Sequence, residues 1–157
     1  MIKYFNKYVK VVFIDILVYR IAKTTLLENV EKHTIKQQKI SSNKTKYYIE
    51  ENDKIIHNSY LFKSLNVLRL INKKGPAIGD CYTDDLHRGK SIYPFVINNI
   101  ANEIITKLEF PEIFILVNSN NISSIRGIEK AGFILHSKIV AKRFLFFYFN
   151  KNIQNFN

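Results

Sequence analysis

The sequence predicts a mixed α/β domain, a mostly antiparallel central sheet flanked by helices. Three observations predict it. Apolar, β-branched and aromatic runs separated by turn residues fill residues 46–83. A helix-period stretch, a buried-type strand and a second short helix follow in that order across residues 92–131. An aromatic and β-branched run over residues 133–149 then returns to strand character. Strands followed by strand–helix–strand–helix–strand make one sheet with a single crossover core.

Residues 8–21 mix Val, Ile, Phe and Tyr and read as strand. Residues 24–33 suit a short helix, and residues 34–46, rich in Gln, Ser, Asn and Lys, read as loop. Residues 46–50 and 55–62 are strand-like around a turn at 51–54, a β-hairpin or meander. Residues 65–71 alternate well enough for another strand, and residues 77–83 are the next one after the Gly75-Pro76 breaker. Ile92, Val96, Ile100 and Ile104 recur every four residues and give the first helix a broad apolar face. Pro94 falls in its first turn, where a missing N–H costs nothing. Residues 112–117 form a short buried strand. Asn121 is placed to cap a helix over residues 122–131, which Gly132 ends. The polar tail from Asn150 reads as frayed.

The 157 residues have the length of one domain, with 46% hydrophobic residues, and are read as a single domain over 1–157. One cysteine, Cys81, excludes an intramolecular disulfide framework and fits a reducing, cytoplasmic setting. The apolar stretch near the N-terminus is interrupted by Lys10 and Asp15 and is too short to span a bilayer, so no stable membrane insertion is expected. Net charge is +11, and 15 of the 24 basic residues lie in residues 1–75. Such a surface attracts polyanions. The lysines are scattered along the chain rather than clustered, however, and no nucleic-acid partner is expected. The histidines and the cysteine lack zinc spacing, so no metal is expected.

Thr83, Asp84, Asp85, Leu86, His87, Arg88, Gly89, Lys90 and Ser91 join a strand to a helix. A helix N-terminus offers unpaired N–H groups and the positive end of the dipole. A glycine at the turn lets several of them converge on one phosphate. Arg88 and Lys90 add full charge. The plainer reading is an ordinary turn with solvated Arg and Lys. The spacing is neither a Walker loop nor a dinucleotide fingerprint.

Arg88, Gly89 and Lys90 resemble the acetyl-CoA loop of the GNAT acetyltransferases, with Ser91 and Tyr93 at its two Gly positions. Asn121 and Ser124 then match that family's Asn-x-x-Ala/Ser step, and Lys130, Gly132 and Phe133 match its closing pattern. The resemblance covers residues 77–133, extends weakly to 46, and makes about 46–149 the motif-bearing core. It implies a GNAT-like acyl-CoA N-acyltransferase fold whose pantetheine arm lies between two parted strands. It implies acetyl-CoA as acyl donor, held by the strand from Cys81 to Thr83, by Arg88, Gly89, Lys90, Ser91, Ile92 and Tyr93, and by Asn121 with Ser124.

Acetyl transfer needs a neutral amine, a polarised thioester and a proton for the leaving thiolate. The family's frequent tyrosine acid falls here on Ile128. Asp80 is a candidate proton acceptor, Tyr82 a candidate donor and His57 a candidate base; each has a plainer reading as an ion-paired, packed or satisfied polar residue. Asp80 and Tyr82 share one face of an extended strand, with Cys81 on the other. No Cys–His–acid set supports covalent catalysis. Family members acetylate amino sugars, amino acids, polyamines and protein amines. The basic N-terminal half favours a small-molecule amine with anionic character, such as a nucleotide-linked amino sugar of surface polysaccharide synthesis. A silent CoA-binding module and a basic nucleic-acid-binding protein are the alternatives. An exposed sheet edge near the C-terminus would suit a homodimer.

Overall fold

The computed structural model describes residues 10–28, 32–107 and 110–156. Its strands are β1 (Val12–Ile21), β2 (Lys36–Lys39), β3 (Lys44–Glu51), β4 (Lys54–Phe62), β5 (Ala77–Thr83), β6 (Ile113–Asn118), β7 (Ile134–Phe144) and β8 (Phe147–Asn155). Its helices are α1 (Ile92–Thr106) and α2 (Ile122–Lys130). Three-residue-per-turn helices cover Asn66–Ile71 and Asp85–His87. The strands form one sheet in the order β2-β3-β4-β5-β6-β1-β7-β8. Every neighbouring pair is antiparallel except β5 and β6, which run parallel. The expected sheet, both helices and the crossover from β5 through α1 to β6 are all present.

Each face of the sheet has its own core. On one face α1 and α2 cover Tyr47, Ile49, Ile56, Ile78 and Ile115 with Ile97, Ile100 and Ile128. On the other, Leu68 and Ile71 lie over Val18, Ala77, Phe114 and Ile139. Apolar residues thus alternate out of the strands onto two covers, as the pleat requires.

Four expectations are corrected. Residues 65–71 are not a strand: Leu68 and Ile71, three apart, eclipse one another on a tight helix and both enter the second core. Residues 24–28 form no helix, because Asn98 of α1 claims their polar groups: its Oδ1 accepts from Leu27 N at 3.1 Å and its Nδ2 donates to Thr25 O at 3.0 Å. Part of the expected 24–33 helix, residues 29–31, lies outside the described residues. Residues 36–39, expected as loop, form β2, an all-exposed edge strand whose flanking lysines discourage further pairing. The tail from Asn150 is not frayed: β8 stays paired with β7 to Asn155, through one register shift, and Ile153 packs into the second core.

The expected strand over residues 8–21, of which 8 and 9 lie outside the described residues, is β1, Val12–Ile21. It lies between β6 and β7, antiparallel to both, which leaves β8 outermost.

Asn98 is 1% exposed and also donates to Ala131 O at 3.1 Å, so one amide ties residues 25–27, α1 and the end of α2 together. Asn98→Ala leaves those three backbone groups without that partner. It should lower the unfolding free energy by about 2–3 kcal/mol, measured by denaturant titration.

Candidate functional site

β5 and β6 pair only through Ala77–Phe114 and Ile78–Ile115, and then part. Just past the last pair, Asp80 adopts φ 50, and Asp80 and Cys81 together oppose Ser59 of β4. This is a β-bulge, with one extra residue on β5 that bends the strand. It turns Cys81 toward the helices, beside Ser59, while Tyr82, opposite Asn58, remains on the outer face, 51% exposed.

A cavity of about 500 Å³ opens between the parted strand, the loop and α2. β5 supplies Cys81, Tyr82 and Thr83; the loop supplies His87, Arg88, Gly89 and Ser91; α1 supplies Ile92, Tyr93 and Pro94. α2 and its cap supply Asn121, Ser123, Ser124, Arg126, Gly127 and Lys130. Its size suits a cofactor-sized ligand.

The loop is braced from both sides. Asp84 accepts from Leu86 N at 3.3 Å and from Lys54 Nζ at 2.8 Å, and its backbone N–H donates to Ile56 O. Lys54, and then His87, hold its carboxyl below the usual carboxylate range. His87 lies between Asp84 Oδ2 at 3.2 Å and Glu51 Oε2 at 2.9 Å, which joins the β3–β4 turn to the loop. Arg88 Nε donates to Thr83 O at 3.1 Å, and its guanidinium pairs with Asp85 at 2.7 Å. Gly89 takes φ +77 with open space where a Cβ would stand, so its role is conformational.

Ser91 sits at the N-cap of α1 with φ 61 and makes no capping bond. Its hydroxyl instead accepts from Lys130 Nζ at 2.6 Å. The first-turn N–H groups of α1 therefore have no side-chain cap. Asn121 caps α2 by accepting from Ser124 N at 3.2 Å. That is the capping role the sequence offers, and it holds Asn121 and Ser124 at the cavity.

Tyr93 stands where the resembled motif has a small residue, and the structure explains how it fits. Its ring turns inward over Gly127 of α2. A Cβ on Gly127 would lie 2.6 Å from Tyr93 Cδ1. The hydroxyl reaches the Cys81 thiol, and the ring centroid lies 6.2 Å from that of His57. Burial, then Cys81, pushes the phenol well above its ordinary value. Burial pushes the Cys81 thiol up to about 12, so it stays protonated and is a poor nucleophile.

The three candidate catalytic residues are separated. His57 is fully buried behind Thr83, bonded to Thr83 Oγ1 at 2.8 Å and Ser59 Oγ at 2.9 Å. Burial pushes it down to about 4, which keeps it neutral. Asp80 lies on the open face, paired to Lys44 Nζ at 3.0 Å. Tyr82 lines the cavity with Arg88 5.9 Å from its ring centroid. Among the predicted binding residues Lys90 is exposed and does not line the cavity; the others do. Sequence reasoning missed Arg126, Gly127 and Lys130. Their helical spacing, with Ser123, would have placed them on one face of α2. Ile128, which falls where the resembled motif often has a tyrosine, is fully buried. Among the described residues no group of three or more His, Cys, Asp or Glu side chains is placed to hold a metal. No helix among them is long and apolar enough to cross a membrane.

No family model matches the sequence, and neither does any curated protein. Among solved structures the chain is similar to a GNAT-family acetyltransferase from Colwellia psychrerythraea, with a TM-score of 0.53 and 11% identity. The match covers 85% of this chain but 58% of that one. At that identity the likeness is one of fold: a single mixed sheet of the GNAT type, with few helices.

Gly127→Ala should collide with Tyr93 and destabilise the protein by about 1–3 kcal/mol, despite alanine's better helix propensity. Adding Tyr93→Ala should recover about 1 kcal/mol or more of non-additivity in a double-mutant cycle, read by chemical denaturation.

His57 gives a pH signature. The unfolded chain protonates this imidazole near its ordinary value of 6.5, and the folded protein resists down to about 4. The unfolded state therefore binds more protons in that window, and stability rises with pH across it. The full contribution, about 3 kcal/mol, is present above pH 6.5 and is lost as pH falls to about 4. Unfolding free energies measured from pH 7 to 4 should flatten by this amount in His57→Gln.

Proposed function

We propose that this chain is an N-acyltransferase that moves an acetyl group from acetyl-CoA to the primary amine of a small molecule. One observation carries the reading. A side-chain-uncapped helix N-terminus, with Arg88 and Lys130 beside it, sits at one end of a cavity. The wall of that cavity is the edge of β5 freed by its parting from β6. The first feature suits a pyrophosphate. The second gives an extended polar arm free backbone groups to bond, as a sheet edge does. Acetyl-CoA has both parts, and the fold likeness agrees.

On this reading the N–H groups from Gly89 to Tyr93 and the cations Arg88 and Lys130 bind the diphosphate. The arm runs along β5 from Thr83 toward Asp80. The bulge at Asp80 interrupts the ladder and leaves backbone N–H groups to polarise the thioester carbonyl. Asp80, outside the cavity wall, receives the proton of the incoming ammonium. Tyr82 flanks the cavity from the solvent side. His57 acts indirectly, fixing the Thr83 hydroxyl from behind. A nucleotide-linked amino sugar is the first acceptor to test, because its phosphates complement the basic surface.

A CoA-binding module without turnover is the second reading. One observation favours it: among the described residues the cavity wall carries no carboxylate, and Ile128 occupies the acid position.

Calorimetric titration with acetyl-CoA should give saturable binding, with ATP and desulfo-CoA as comparison ligands. Arg88→Gln should weaken it about tenfold, the equivalent of one charge-assisted hydrogen bond. No binding of acetyl-CoA to the wild-type protein would sink the reading. Binding without acetyl transfer to any member of an amine panel would support the second.

A further inference from the structure

The outer face of β3, β4 and β5 holds a primary amine of the chain itself beside Asp80. Lys44 leaves β3, crosses β4, and sets its Nζ 4.0 Å from the Tyr60 ring centroid and 4.7 Å from that of Phe62. The same nitrogen lies 3.0 Å from Asp80 Oδ2. Two ring faces and a carboxylate are the surroundings that recognise an alkylammonium. Strand pairing assembles them: Lys44 faces Phe62 across β3–β4, and Tyr60 faces Gly79, the neighbour of Asp80, across β4–β5.

The position matters as much as the contacts. Asp80 directly precedes Cys81, which lines the cavity, and stands where β5 has just left β6. The cations Arg88, Arg126 and Lys130 belong to the loop and to α2, at the other end of that wall. Lys54 is held at the loop by Asp84. Among the described residues Lys44 is thus the lysine held at the bulge end of β5, the end to which the arm of a bound acyl-CoA would bring its thioester. Lys46 is its internal control. It lies on the same strand and face, 5.1 Å from the Tyr48 ring centroid, and among the described residues it has no carboxylate partner.

We propose that Lys44 is an acceptor of this protein's own chemistry, acetylated at Nζ within the same molecule when acetyl-CoA occupies the cavity. The proposal rests on the acyl-CoA reading above. The ammonium gives one proton to Asp80 and thence to solvent. The freed nitrogen lone pair forms a C–N bond to the acetyl carbonyl carbon, and the C–S bond breaks with its electron pair on sulfur. The second proton leaves nitrogen for the thiolate, so the products are Nε-acetyl-Lys44 and CoA. The flexible four-carbon stem lets Nζ swing from Asp80 to the adjacent cleft. Acetylation removes the cation, and with it the ion pair to Asp80 and both ring contacts.

The test incubates the purified protein with acetyl-CoA at several protein concentrations and maps acetyl-lysine by peptide mass spectrometry. CoA affinity is measured by calorimetry on the same preparation. Lys44 should be modified at least about tenfold faster than Lys46 or Lys54, with a rate constant independent of protein concentration. Lys44→Arg should remove that modification. Asp80→Asn should slow it about tenfold or more with CoA affinity retained. If the protein binds CoA but modifies Lys44 no faster than Lys46, or only in proportion to protein concentration, the proposal fails and the donor site stands. If CoA does not bind, the donor reading and this proposal fall together.

Discussion

The site depends on β5 and β6 holding together for two residue pairs and then separating. Parallel neighbours normally continue their ladder, and each residue lost from it leaves backbone donors and acceptors without partners. The separation falls at the bulge at Asp80. α1 must fit between β5 and β6 in sequence and pack against both. The bulge gives β5 an extra residue opposite β4 and bends it. The backbone groups on the freed edge of β5 are the feature a ligand would satisfy.

The cleft keeps its width through one large side chain and one small one. Tyr93 fills the space between α1, β5 and α2, and Gly127 makes the room. A glycine inside α2 costs helix stability, and the contact with Tyr93 accounts for its presence. Cys81, whose thiol donates to Gly79 O at 3.5 Å, lies beside a buried hydrogen-bonded line from Ser59 through His57 to Thr83. Burial keeps His57 neutral and Cys81 protonated, so this line positions groups behind the cavity and carries no charge at neutral pH.

Charge is arranged differently on the two sides of β5. On the cavity side the cations converge: Arg88 from the loop, Arg126 and Lys130 from α2. On the open side Lys44 pairs with Asp80 and Lys36 with Glu50, while among the described residues Lys46 meets only the Tyr48 ring. An overall charge of +11 is therefore a poor guide to function here. The loop would exert its pull at short range through oriented N–H groups and a few cations.

The sequence by itself determined the runs that form β1, β3, β4, β5, β6 and β7, the helices α1 and α2, the glycine turn at Gly89 and the cap at Asn121, because each depends on local periodicity or turn chemistry. It also placed Arg88, Gly89, Ser91 and Ile92 at one loop. Tertiary structure decided the rest. Residues 65–71 alternate like a strand, yet Leu68 and Ile71 gain more by sharing one core on a tight helix. β1 could not be placed between β6 and β7 from its own residues, since strand order is set by which faces need covering. Arg126, Gly127 and Lys130 join the site only because α2 packs beside α1. Asp80, Tyr82 and His57 lie on the paired strands β4 and β5, yet the bulge and the depth of burial send them to three environments. A local pattern records which side of its own strand or helix a residue occupies, but not what the neighbouring element brings to meet it.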